Sequence, residues 1–155
     1  MKDRRTLLER LHRPTPPSGS ERSQLIQSIA DNLSKLFRTH QGSVKAEHPD
    51  DRLRYGMPDL SVILYPKLIG RAEAGVGPQP EVLEDLPAQL RALVRAYEPR
   101  LRPESVDVSV QDVPTRPGLL RVGIVATMVL EDVDVGAFHM SAELAPSGRL
   151  EVEGR

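Results

Sequence analysis

The sequence predicts an α+β fold: two main amphipathic helices packed on an antiparallel β-meander of three to four strands, plus a short N-terminal helix. Two apolar stripes at helical spacing precede Leu101. One is Leu25, Ile26, Ile29, Leu33, Leu36 and Phe37; the other is Leu83, Leu86, Leu90, Leu93, Val94 and Tyr97. After Leu101 the apolar period changes to two, which puts alternate side chains on one face of a sheet. With 155 residues the chain is long enough to bury a real core.

Residues 4–12 carry Leu7, Leu8 and Leu11 on one side of a short helical pattern. Pro14, Pro16 and Pro17, followed by Ser18-Gly19-Ser20, end it as a linker. The organisation is therefore a docking helix and linker over residues 1–20, then a single domain over 21–155. An apolar face this small does not stabilise a helix alone. It docks either on the body or on another protein, and the sequence leaves both open.

The first long helix is expected over Glu21–Arg38, with Ser18 and Glu21 spaced as a capping box. Gly42 marks a turn, residues 43–48 suit a short strand, and Pro49-Asp50-Asp51 is a turn signal. In Tyr55-Gly56-Met57-Pro58-Asp59-Leu60, Gly56 permits unusual backbone angles, Pro58 stiffens the turn and Asp59 can cap the next element. Residues 60–69 read either as a short helix broken by Pro66 or as a strand. Residues 70–80 are a Gly/Pro-rich loop, and Gly75-Val76-Gly77 lacks the third glycine and preceding strand of a phosphate site. The second long helix spans residues 81–97, with Pro87 either delaying its start or kinking it. Strands come next at Val106–Val110, Leu120–Leu130 and Phe138–Leu144, with a last short one at Leu150 and Val152. The central strand is apolar on both faces over part of its length. It is either sandwiched by helices or offered to a partner.

Composition removes several function classes. Twenty-one basic residues against 22 acidic ones give a net charge of −1, so no global field holds nucleic acid or an anionic membrane. The absence of cysteine excludes disulfides and thiol chemistry and fits a reducing, cytoplasmic setting. The longest apolar run, Val122–Leu130, is too short to span a bilayer. Aromatic residues are only 3%, without tryptophan, which removes the usual stacking platforms for bases and sugars. The four histidines lack zinc-helix spacing. His48 with Asp50 and Asp51 is a weak cluster, so no metal or cofactor is expected.

Tyr97-Glu98-Pro99-Arg100-Leu101 is the segment with the most chemical content. Pro99 should stop the helix near Glu98. That leaves a carboxylate at the negative end of the helix dipole, where local stability does not favour it. Two readings are open. Glu98 forms a local ion pair with Arg95 or Arg100, of small value if exposed. Alternatively, an extended chain through Pro99 projects Glu98 and Arg100 to one side and displays an acid and a base together.

Four segments in order carry a resemblance: Leu7–Leu11; Asn32–Thr39 followed by Gly42; Tyr55–Leu60; and Tyr97–Leu101. The chain resembles the baseplate wedge subunits of bacterial type VI secretion systems, the TssE family. Those are similar to the short "lysozyme-like" wedge proteins of contractile phage tails. The resemblance implies a small α/β fold and a structural, cytoplasmic role at the inner face of the cell envelope. The implied partners are other baseplate wedge subunits and contractile sheath proteins, with no nucleic acid, membrane insertion or small-molecule substrate. It turns Glu98, Pro99 and Arg100 into an assembly contact. Leu101, the Tyr55, Gly56, Met57, Pro58 and Asp59 loop, and Leu7, Leu8 and Leu11 join them as contact residues. His40 departs from the family pattern, standing where arginine is expected.

On this reading the Arg100 fork meets a partner carboxylate, and Glu98 accepts from a partner donor. An Arg100→Ala variant would then fold normally but fail to assemble. An exposed sheet edge would also be able to take a strand from the sheath. The competing readings are a muramidase-like peptidoglycan hydrolase using Glu98 and a generic small-molecule binding domain.

Overall fold

A computed structural model describes residues 17–41, 55–58, 80–116, 118–145, 147 and 149–152. The expected docking helix with Leu7, Leu8 and Leu11, the 43–48 strand, Asp59 and the 60–79 segment lie outside these. Among these, two α-helices, α1 (Gly19–Arg38) and α2 (Pro80–Tyr97), and a short 3-10 turn (Pro103–Ser105) accompany four strands: β1 (Asp107–Asp112), β2 (Leu120–Leu130), β3 (Val133–Leu144) and β4 (Leu150–Val152). The strands form one antiparallel sheet in sequential order, as the period-two pattern predicts.

The start of α1 is set by its capping box. Ser18 Oγ accepts from the Glu21 amide at 3.3 Å, and the Glu21 carboxylate accepts from the Ser18 amide at 2.7 Å. Those bonds, the backbone one foremost, hold the Glu21 carboxyl below its ordinary range. Its contribution is therefore present above that range and lost as the pH falls through the lowered folded value. Ser18→Ala is expected to cost about 1 kcal/mol, read as a lower urea midpoint with an unchanged slope.

α2 begins at Pro80, ahead of Pro87, so this proline does not delay the helix. Pro87 removes one ladder hydrogen bond. Burial of Leu86, Leu90, Leu93 and Val94 around and beyond it holds the helix together.

One face of the sheet carries the core. Val108, Val122, Ile124, Met128, Phe138, Ala142, Leu144 and Leu150 are all buried on that side. α1 lies against β3 and β4 and contributes Ile29, Leu33, Leu36 and Phe37, while α2 lies against β1. The opposite face exposes Arg121, Val125, His139 and Glu151, so among the described residues the central strand is covered on one side only.

β3 starts five residues before the expected strand at Phe138. A two-residue turn at Glu131 and Asp132, both at positive φ, returns the chain directly from β2. Met128 pairs with Gly136 and Val129 with Asp134, so Val135 is bulged out. That bulge breaks the alternation and hides the first part of the strand from a period-two reading.

Candidate functional site

The corner after α2 begins with a helix that is still intact at Glu98, whose amide donates to the Val94 carbonyl at 2.9 Å. Pro99 cannot continue the ladder. The chain turns, and the Leu101 amide donates back to the Glu98 carbonyl at 3.1 Å. The extended course expected through Pro99 is therefore replaced by a tight turn. Glu98 and Arg100 meet because they face one another across that turn, not because they project in parallel.

Glu98 is fully buried, the one charged side chain buried among the described residues. Its Oε1 accepts from Arg100 Nε at 2.6 Å and from the Arg100 amide at 3.3 Å. Its Oε2 accepts from Arg100 Nη2 at 2.7 Å and from Asn32 Nδ2 at 2.9 Å. Four donors thus fill the lone-pair sites of a carboxylate that the helix dipole alone would disfavour. Of the two readings of Glu98, the ion pair within the chain is the one the geometry gives, and Arg95 is not its partner.

Arg100 is correspondingly committed. Its fork is occupied by Glu98, and Nη1 donates to Ser28 Oγ at 2.8 Å. The hydrogen bonds it donates to Glu98 hold the guanidinium still more firmly protonated than usual, against the opposing effect of burial. The expectation that this fork clasps a partner carboxylate is corrected, because the fork is filled. So is the expectation that Glu98 accepts from a partner, because no surface or lone pair remains to it. Arg100 keeps 32% of its side chain exposed, and Pro99 is exposed beside it.

The rest of the motif is held by the sheet. The Val129 amide donates to the Arg100 carbonyl at 2.8 Å and the Arg102 amide to the Thr127 carbonyl at 2.9 Å. Leu101 lies between, bridged to Met128 and fully buried. Leu101 is thus a core anchor of the corner and not a contact residue.

The Tyr55–Pro58 segment arrives at the same place. The Tyr55 and Tyr97 rings pack edge to face with centroids 5.2 Å apart. Burial of Tyr97 raises its phenol above the ordinary range. The Met57 amide donates to the Thr39 carbonyl at 2.7 Å, and Gln41 donates to the Met57 carbonyl at 2.9 Å. Met57 and Gly56 are buried, so they too support the corner from within. His40 is exposed and bridges Met57 through its backbone. Gly56 has φ +104, and a Cβ there would stand 2.5 Å from the Thr39 carbonyl oxygen. Gly56→Ala is expected to cost more than about 1 kcal/mol, measurable as a lowered thermal midpoint.

Three of the four segments that carry the resemblance therefore converge: the end of α1, the Tyr55 loop and the corner. Asp59 and the leucines at 7, 8 and 11 lie outside the described residues. Sequence reasoning missed Ser28 and took Asn32 only as the start of a matching segment; both complete the corner from α1. The available signal was a polar pair one helical turn apart beside the apolar stripe, together with a carboxylate in need of donors.

Beginning at the corner, whose Ser28, Asn32 and Glu98 also border it, an open groove of about 590 Å³ runs along the polar side of α1. Gln24, Gln27, Asp31 and Lys35 line it, with Pro99 and Arg100 at one side. Among the described residues no group of His, Asp or Glu is arranged to hold a metal ion, and no helix is long and apolar enough to cross a membrane. The carboxylate at the centre of the corner is locked by its four donors.

Residues 23–133 match the family described as "Baseplate wedge protein gp25", and the chain belongs to that family. A structural role in a baseplate, assembled with other baseplate subunits, goes with that membership. Comparison with curated proteins and with solved structures gave no significant match.

Proposed function

We propose that this chain is a non-catalytic wedge subunit of a type VI secretion baseplate, acting in the cytoplasm to anchor and nucleate the contractile sheath. The observation that carries this reading is the corner itself, set within a gp25-family chain. Glu98 is turned inward and saturated, while Pro99 and the outer edge of Arg100 stand exposed beside a polar groove. The Glu-Pro-Arg motif then serves assembly by fixing a shape. The partner reads Pro99, the outer side of Arg100 and the neighbouring face of α1, with Glu98 acting only from beneath. The edges of the sheet at β1 and β4 are two further places where a sheath strand can add.

A muramidase-like role for Glu98 is disfavoured by the same geometry. A general acid must reach the glycosidic oxygen, and this carboxylate is buried with all of its acceptor sites used.

The test is sheath assembly in a cell that carries the system, monitored with a fluorescent sheath subunit. Deleting the chain should abolish sheaths. Restoring it with Gln27 and Lys35 both changed to glutamate, two groove positions outside the staple, should leave a folded protein that assembles poorly. Normal sheaths in the deletion strain would overturn the proposal, as would peptidoglycan cleavage that depends on Glu98.

A further inference from the structure

We infer that Asn32 and Ser28 on α1 are positioning residues of the corner, so that the orientation of Arg100 is set by two separate elements and not by the Glu-Pro-Arg turn alone. The inference rests on the proposed contact role only in its consequence for assembly; its physical content is testable on the isolated chain.

Asn32 Nδ2 lies 2.9 Å from Glu98 Oε2 and 3.5 Å from the Tyr97 carbonyl oxygen. Both neighbours are acceptors, so the amide nitrogen and not its oxygen must face the turn. With Asn32 and Arg100 Nη2 on one carboxylate oxygen, and Arg100 Nε and its amide on the other, the carboxylate plane is fixed. A bidentate guanidinium is held coplanar with its carboxylate, so fixing one plane fixes the other. Ser28 Oγ then holds the outer nitrogen, Nη1, at 2.8 Å. Ser28 and Asn32 are four residues apart on one helix face. Any displacement of α1 relative to α2 is thereby passed to the exposed edge of Arg100.

The experiment is NMR of the whole chain, tracking the Arg100 Nε–H signal, assigned by its disappearance in Arg100→Lys. In the unaltered protein this proton should exchange slowly with water. Asn32→Ala should speed its exchange about tenfold, the scale of one lost charge-assisted hydrogen bond, while the amide signals of β2 and β3 stay in place. Ser28→Ala, at an exposed position, should speed it about threefold and keeps the test available if Asn32→Ala fails to fold. Unchanged exchange in the folded variants would overturn the inference. Capture of wedge partners is scored separately. Faster exchange with normal capture upholds the positioning role and refutes the contact reading; faster exchange with weakened capture upholds both.

Discussion

Arg100→Ala should lower the stability of the isolated chain by about 3 kcal/mol, seen as a marked drop in the urea midpoint. The sequence alone suggests the opposite, a folded variant defective only in assembly. The difference is the location of Glu98. Truncating Arg100 removes both side-chain hydrogen bonds to a fully buried carboxylate and loosens the turn that supplies a third from the Arg100 amide. An acceptor left buried and unpaired loses far more than an exposed ion pair contributes. The lower end of the usual range for breaking buried pairs applies, because Arg100 is one-third exposed and water can enter the space it vacates. The contrast that isolates the cause is the double variant Glu98→Leu with Arg100→Met. With the charge gone as well as its partner, stability should return to within about 1 kcal/mol of the starting protein. If Arg100→Ala proves as stable as the parent, the buried staple is not what holds this turn.

Leu101→Ala is expected to cost about 3 kcal/mol as well, by a different route. Leu101 is fully buried and bridges Met128, itself fully buried near the end of β2. Truncation leaves a cavity among side chains that are held by β2 on one side and by the helices on the other, so the site closes only in part. A contact residue on the surface would give a change within about 0.5 kcal/mol. Thermal and urea unfolding of the isolated chain distinguish the two without any partner present. The result also bears on how assembly defects at this motif are read. A Leu101 variant that fails to assemble would do so because its corner is no longer formed.

Much of this architecture was legible because each element announces itself locally. The stripe in α1 and its Ser18–Glu21 box fix that helix without reference to the rest of the chain. The alternation over Leu120–Leu130 fixes β2 in the same way. The stop at Glu98 is dictated by Pro99. The early start of β3 was hidden because the bulge at Val135 shifts the period, and because Glu131 and Asp132 form a tight turn without the glycine that usually marks one.

The site was legible in its members and illegible in its orientation. Proline showed that the chain bends between Glu98 and Arg100, but spacing does not say whether two charges on a bend look outward or toward each other. That choice depends on Asn32 and Ser28, more than sixty residues earlier. Only the placement of α1 against the turn that follows α2 brings their donors within reach. For the same reason Leu101 and Met57, which share their motifs with exposed residues, read as contacts in the sequence and are core in the fold.

The measurement that bears most directly on the central claim is the coupling between Glu98 and Arg100 in the isolated chain. It is obtained from urea unfolding of the parent, Glu98→Leu, Arg100→Met and the double variant. A pair made within the chain, with its acid fully buried, predicts a coupling of about 2 kcal/mol. Independent effects that add to within about 0.3 kcal/mol would mean that the two side chains do not meet in the monomer, and the account of the corner as an internal staple would be wrong.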